Sequence, residues 1–67
     1  MSIKLNIPAI LRLLAERKLT NKALAELTGI SRQNISTILR RGTCSAPNAG
    51  RLAEGLGVDV SEIMEDG

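Results

Sequence analysis

The 67-residue chain has no phenylalanine, tyrosine, tryptophan or histidine, and only one cysteine and two prolines. Without aromatic residues the core must be filled by leucine, isoleucine, valine and alanine, side chains that suit interlocking helices. Without histidine, serine or cysteine triads and metal sites of the usual type are excluded. The lone Cys44 makes no internal disulfide, which fits a reducing compartment. It reads as a small, partly buried group. No apolar run is long enough to span a membrane and no signal peptide is evident, so a cytoplasmic location is the simplest expectation. There are no repeats, no low-complexity segments and no convincing strands. The one carboxylate cluster, Glu62, Glu65 and Asp66, has no pocket to serve. Neither enzymatic activity, nor a cofactor, nor a small-molecule ligand is expected.

Apolar residues make up 43% of the chain, enough for one small core and a single domain over residues 1–67. Such a core is marginal, and self-association would stabilise it further. The net charge is only +2, but its distribution is uneven. Residues 1–41 carry eight cations against Glu16 and Glu26, a balance of +6, whereas residues 42–67 carry Arg51 against five acids, a balance of −4. The first part can face a polyanion while the second faces away; ordinary surface charge accounts for the same numbers.

Helix signals follow one another along the chain. Residues 1–5 read as an arm or a fraying end. Asn6 caps a first helix with Pro8 in its opening turn, and Ile7, Ile10, Leu11 and Leu14 form its buried stripe, running to about Lys18. Thr20 caps a second helix with Ala23, Leu24 and Leu27 inward, stopped by Gly29. Ser31 caps a third, which runs to about Arg41 and ends at Gly42. Ser45 caps a fourth, with Ala49, Leu52, Ala53 and Leu56 inward and Gly57 at its end; Gly50 and Gly55 weaken it by roughly 1 kcal/mol each relative to alanine. Asp59-Val60-Ser61-Glu62 reads as a capping box that opens a short fifth helix. The expected fold class is all-α, a compact bundle of five short helices.

The second and third helices, at about residues 20–41, are separated only by the turn at Gly29. A break this sharp makes sense where two helices cross steeply, and the small Ala25 lets another helix approach. This is a helix-turn-helix, in which the first helix braces the second and the second can enter a DNA major groove. At about 100° per residue, with Gln33 set at zero, Ile35, Ile38 and Leu39 point together near 195°. The opposite side collects Gln33, Ser36, Thr37 and Arg40, with Arg32, Asn34 and Arg41 at its margins. No acidic residue lies on this helix. Gln suits adenine, Arg suits guanine, and the Thr methyl packs on thymine. Arg40, Arg41 and Lys22 are long cations suited to phosphate, and the N-termini of the second and third helices add free N–H groups.

The pattern Leu19-Thr20-Asn21, Leu24-Ala25-Glu26, Gly29-Ile30-Ser31-Arg32-Gln33, Ile35-Ser36, Ile38 and Arg41-Gly42 resembles the helix-turn-helix of the Cro/repressor (Xre-type) regulators, the lambda-repressor-like domains. The ending Leu52-Ala53, Leu56-Gly57-Val58-Asp59-Val60-Ser61-Glu62-Ile63 is similar to that family's last two helices. The resemblance covers about residues 6 to 64. It implies a DNA-binding domain of five helices, usually a homodimer on a pseudo-palindromic operator. It places Arg32, Gln33 and Thr37 at base-reading positions and Asn21 at a phosphate contact; with it, Lys22, Asn34, Ser36, Arg40 and Arg41 make up the expected phosphate contacts. Asn21 stands where the family usually has Gln. The segment Thr37 to Gly42 is one residue longer than the common pattern, and Leu39 replaces a frequent Glu, so the loop to Ser45 is expected to be shaped differently, and the contacts of Arg41 and Thr43 to depart from the family's.

Plainer readings stand beside these. Arg32-Gln33-Asn34 also fits a solvated helix start, and Lys22 a solvent lysine. Val58, Val60, Ile63 and Met64 are first of all core, and equally fit the edge of a dimer contact. Two function classes follow. One is a sequence-specific double-stranded DNA-binding transcriptional regulator, most simply a repressor acting by promoter occupancy. The other is a protein-interaction module of the same fold, an antitoxin-like or anti-repressor partner. The acid-free third helix favours the first.

Overall fold

The computed structural model describes residues 2–65; Asp66, counted above in the C-terminal acidic cluster, lies outside them. The order of elements is β1 (Ser2–Lys4), α1 (Ile7–Arg17), α2 (Asn21–Thr28), α3 (Arg32–Arg41), β2 (Thr43–Ser45) and α4 (Ala46–Leu56), followed by a single 3-10 turn, Val60–Glu62. The helix starts are those that the capping residues specify. Asn6, Thr20, Ser31 and Ser45 each accept the backbone N–H three residues on, from Ala9, Ala23, Asn34 and Asn48. The helix ends turn left-handed at Gly29, Gly42 and Gly57, and also at Lys18, which adopts φ 54° without the freedom of a glycine.

Three expectations are corrected: the fifth helix, the loose N-terminal arm, and an all-α fold without strands, since a small two-stranded sheet is present. The fifth helix is only the 3-10 turn, so there are four α-helices among the described residues. Its capping box is present: Asp59 accepts the Ser61 N–H, and Glu62 accepts the Asp59 N–H. Hydrogen bonds to Ser61, first from its hydroxyl at 2.6 Å and then from its N–H, hold the Asp59 pKa below its ordinary value. The helix goes no further because the next residues pair with the N-terminal segment instead. Met64 bridges to Leu5, and the Glu65 N–H donates to the Lys4 carbonyl at 3.0 Å.

Residues 2–5 are correspondingly not an arm. β1 runs antiparallel to β2, with Ser2 opposite Ser45, Ile3 opposite Cys44 and Lys4 opposite Thr43. Leu5 donates its N–H to Gly42 and Asn6 donates to Ile63, each at 2.8 Å. Residues 2–6 thus lie between the end of α3 with β2 and residues 63–65. Leu5 is 4% exposed and joins the core.

That core is aliphatic, as the composition requires. Ile10, Leu24, Ile35, Leu52, Leu56 and Ile63 are its largest fully buried side chains. Two residues assigned to inner faces are on the surface: Leu11 is 51% and Leu27 57% exposed. In α1 the buried set is Ala9, Ile10, Leu13 and Leu14, which rotates the stripe away from Leu11. In α2 the buried pair is Leu24 and Thr28. A polar residue takes the inner place because its hydroxyl donates to the Leu24 carbonyl at 2.8 Å and accepts the Ile30 N–H at 3.2 Å.

The same spot explains one of the two helical glycines. A Cβ on Gly55 would lie 2.6 Å from the Thr28 methyl, whereas one on Gly50 would meet nothing within 4 Å. Gly55 lets α4 lie close against α2 and is not merely a weak link. Gly50→Ala should therefore stabilise by about 0.5–1 kcal/mol. Gly55→Ala should destabilise by about 1–3 kcal/mol, since overpacking against a bonded threonine outweighs the gain in helix propensity. Urea unfolding of the two variants is the check. A stabilised Gly55→Ala would show that α2 and α4 have room to part.

Candidate nucleic-acid interface

The junction between α2 and α3 is fixed from both sides. Gly29 turns at φ 75° and donates its N–H to the Ala25 carbonyl at 2.9 Å. Thr28 holds the N–H of Ile30, whose side chain is 3% exposed and anchors the turn in the core. Ser31 then caps α3 through the Asn34 N–H at 3.1 Å. The direction in which α3 leaves is set by a buried side chain and three hydrogen bonds, not by an open loop.

Within α3, Ile35 and Ile38 are buried and Leu39 is half-buried, so the helix is docked by the apolar side that its periodicity specifies. Arg32, Gln33, Asn34, Ser36, Arg40 and Arg41 are exposed, and Thr37 is half-buried. The Thr37 hydroxyl donates to the Gln33 carbonyl at 3.0 Å. This commits its proton to the helix and leaves its methyl and an oxygen lone pair for an outside partner. Asn21 and Lys22, in the first turn of α2, are also exposed. Lys22 and Arg32 border one shallow, largely apolar depression over Ala25 and Ile30, which Glu26 also lines.

Carboxylates are otherwise missing from this region. None occurs between Leu27 and Ala53, a span that holds Arg32, Arg40, Arg41 and Arg51. The single ion pair among the described residues joins Glu16 and Arg17, at 4.0 Å on the exposed side of α1. The cations of α3 are thus unneutralised by any described residue. A helix surface with donors and cations but no acids attracts a polyanion and repels nothing on it.

On the other flank of α3 an open pocket of about 350 Å³ lies beside Asn34, Thr37 and Arg41, closed by Ser2 and Thr43 of the sheet and Asn48 of α4. Ser2 and Asn48 were not singled out from the sequence, whereas Thr43 was considered as a contact; the acid-free run from Leu27 to Ala53 is a signal that could have reached Asn48. Cys44, 8% exposed, lies in its floor, and burial pushes its thiol pKa up. Of the residues considered for a subunit contact, Val58, Val60 and Met64 are half-buried, whereas Ile63 is 0% exposed and belongs to the core.

No described helix is long and apolar enough to cross a membrane. A family model described as a Cro/C1-type HTH DNA-binding domain matches residues 9–66. No curated protein and no solved structure matches the chain. The match takes in α2, the turn at Gly29 and α3 together with the helices that brace them, and the chain belongs to the Cro/C1-type helix-turn-helix DNA-binding domains.

Proposed function

We propose that the protein is a sequence-specific regulator of transcription that occupies promoter DNA and represses by occupancy. The observation that carries this reading is the outer side of α3, exposed, cationic and free of carboxylates while its inner side is locked into the core. In this reading Arg32, Gln33 and Thr37 read base edges in the major groove. Asn21, Lys22, Asn34, Ser36, Arg40 and Arg41 hold phosphates, which fix register and supply most of the salt-dependent affinity.

One recognition helix spans too few base pairs to select a site. Two copies on a pseudo-palindrome, with half-sites about 34 Å apart, would supply the missing information. Val58, Val60 and Met64 offer the apolar edge for that contact, without Ile63. A mobility-shift and footprinting experiment on DNA selected from a random pool tests the proposal. The expected result is a symmetric footprint over two half-sites with two chains bound. One chain on a single asymmetric half-site would overturn the dimer.

A second reading, a protein-interaction module, draws on Leu11 and Leu27, which are large, apolar and exposed. The same experiment separates the two: an interaction module would shift neither selected nor random duplex at low salt.

A further inference from the structure

We propose that the two-stranded sheet is part of the DNA-binding face, and that the pocket it forms with α3 and α4 seats a backbone phosphate of one DNA strand. The inference rests on the DNA-binding reading above and adds to it a contact element, β1 with β2, and three residues, Ser2, Thr43 and Asn48.

Position is the first argument. Counted from Gln33 at about 100° per residue, Thr37 falls near 40°, Arg41 near 80° and Asn34 near 100°. The pocket therefore opens directly beside the side of α3 that would face the bases. A helix about 10–12 Å across fills a major groove about 12 Å wide, so the two sugar–phosphate backbones run along its flanks. The flank towards α2 meets one backbone. The flank towards the sheet meets the other, and the pocket is on that flank.

Chemistry is the second. The residues that line it carry hydroxyls, amides and one guanidinium, come from four separate elements, and include no acid. The floor is Ile38 and Cys44, both buried. A small neutral polar ligand would not need Arg41, and a cation would be repelled by it. A phosphodiester, with acceptor oxygens on its outer side, matches the hydroxyls of Ser2 and Thr43 and the amides of Asn34 and Asn48, all able to donate, around one cation. The pocket's volume leaves space for bridging water, which such interfaces commonly retain.

The strand register is the third. Ile3 and Cys44 face each other, while Ser2 opposite Ser45 and Lys4 opposite Thr43 alternate with them. Period-two alternation puts the four polar residues on the opposite side of the sheet from Ile3 and Cys44. The sheet turns its apolar side to the core and presents hydroxyls and a lysine outwards.

The test places a negative charge in the pocket without disturbing the fold. Asn48 is the third residue of α4, where an acid is favoured by the helix dipole, so Asn48→Asp should keep or raise the unfolding midpoint. Its affinity for duplex DNA should nonetheless fall by about tenfold or more, with a salt dependence shallower by about one unit of log–log slope. Ser2→Asp approaches the same pocket from β1 and should weaken binding similarly. Gly50→Asp is the control: it adds the same charge two residues along α4, about 200° round the helix, where nothing is crowded. Its loss should be small.

Equal losses for Asn48→Asp and Gly50→Asp would mean that net charge alone is at work, and would overturn the pocket. So would an Asn48→Asp protein that binds like the unsubstituted chain. If the unsubstituted chain binds no duplex, random or selected, at low salt, the DNA-binding reading fails, and this inference fails with it. Binding by the unsubstituted chain with no effect in the pocket variants removes the inference alone.

Discussion

Leu5→Ala should remove about 2–5 kcal/mol of stability, whereas Leu11→Ala should change it by less than about 0.5 kcal/mol. The first side chain is 4% exposed and packed in the core; the second is 51% exposed on α1. Deleting buried methyl groups costs their transfer free energy and the cavity left behind. An exposed leucine loses little, and alanine is the better helix former. For a domain of this length total stability is about 3–10 kcal/mol, so the Leu5 variant should sit near the edge of folding. Chemical denaturation followed by far-ultraviolet circular dichroism decides it. A harmless Leu5→Ala would mean that the first five residues are an arm after all, and that the sheet does not contribute to the stability of the fold.

Gln33→Ala and Arg40→Ala should separate reading from holding. Both side chains are exposed on the outer side of α3. Gln33 is at the start of the helix, where the groove floor is nearest in this docking mode, and Arg40 is two turns on, where the phosphates come closer. Gln33→Ala should cost about 1–3 kcal/mol on the selected site and blur preference at one or two base pairs. Arg40→Ala should weaken selected and random duplex alike and flatten the salt dependence by about one unit of slope. Affinities across a salt series on both duplexes distinguish them. Equal losses on both duplexes for Gln33→Ala, with base preference intact, would refute its role as a reader. A changed preference with an untouched salt slope for Arg40→Ala would reverse the two assignments. Neither residue packs in the core, so unfolding should not obscure the result.

The capping residues and the outer side of α3 were legible in the sequence because they are local. A cap is decided by a side chain and an N–H three residues away, as at Thr20 and Ser31, and Gly29 or Gly42 stops a helix by its own backbone freedom. The exposed set on α3 follows from one period applied over ten residues. What escaped depends on distant partners. In α1 two apolar stripes overlap, one through Leu11 and one through Leu13, and only the docked neighbours choose between them. Thr28 displaces Leu27 from the interior because Gly55, some thirty residues later, brings α4 against it. The segment from Ser2 to Asn6 carries a period-two alternation, but five residues are too few to outweigh the prior for a loose terminus. The pocket beside α3 was hidden for the same reason, since one of its walls comes from residue 2 and the opposite one from α3.

The placement of the first residues also orders events in time. α2, the Gly29 turn and α3 are neighbours in the chain and can assemble as soon as they exist, as can the packing of α4 on them. The strand Ser2–Lys4 has no such freedom, because one of its edges meets Thr43–Ser45 and its end meets Met64 and Glu65. Those contacts close the longest loops in the domain and come late in any path that forms near contacts before far ones. On a ribosome Ser2–Lys4 are made before every segment they pair with, and are thus among the last of the described residues to find their place. Until residues 63–65 emerge, Leu5 has no complete site to bury itself in, and α3 waits on a domain still open at one end.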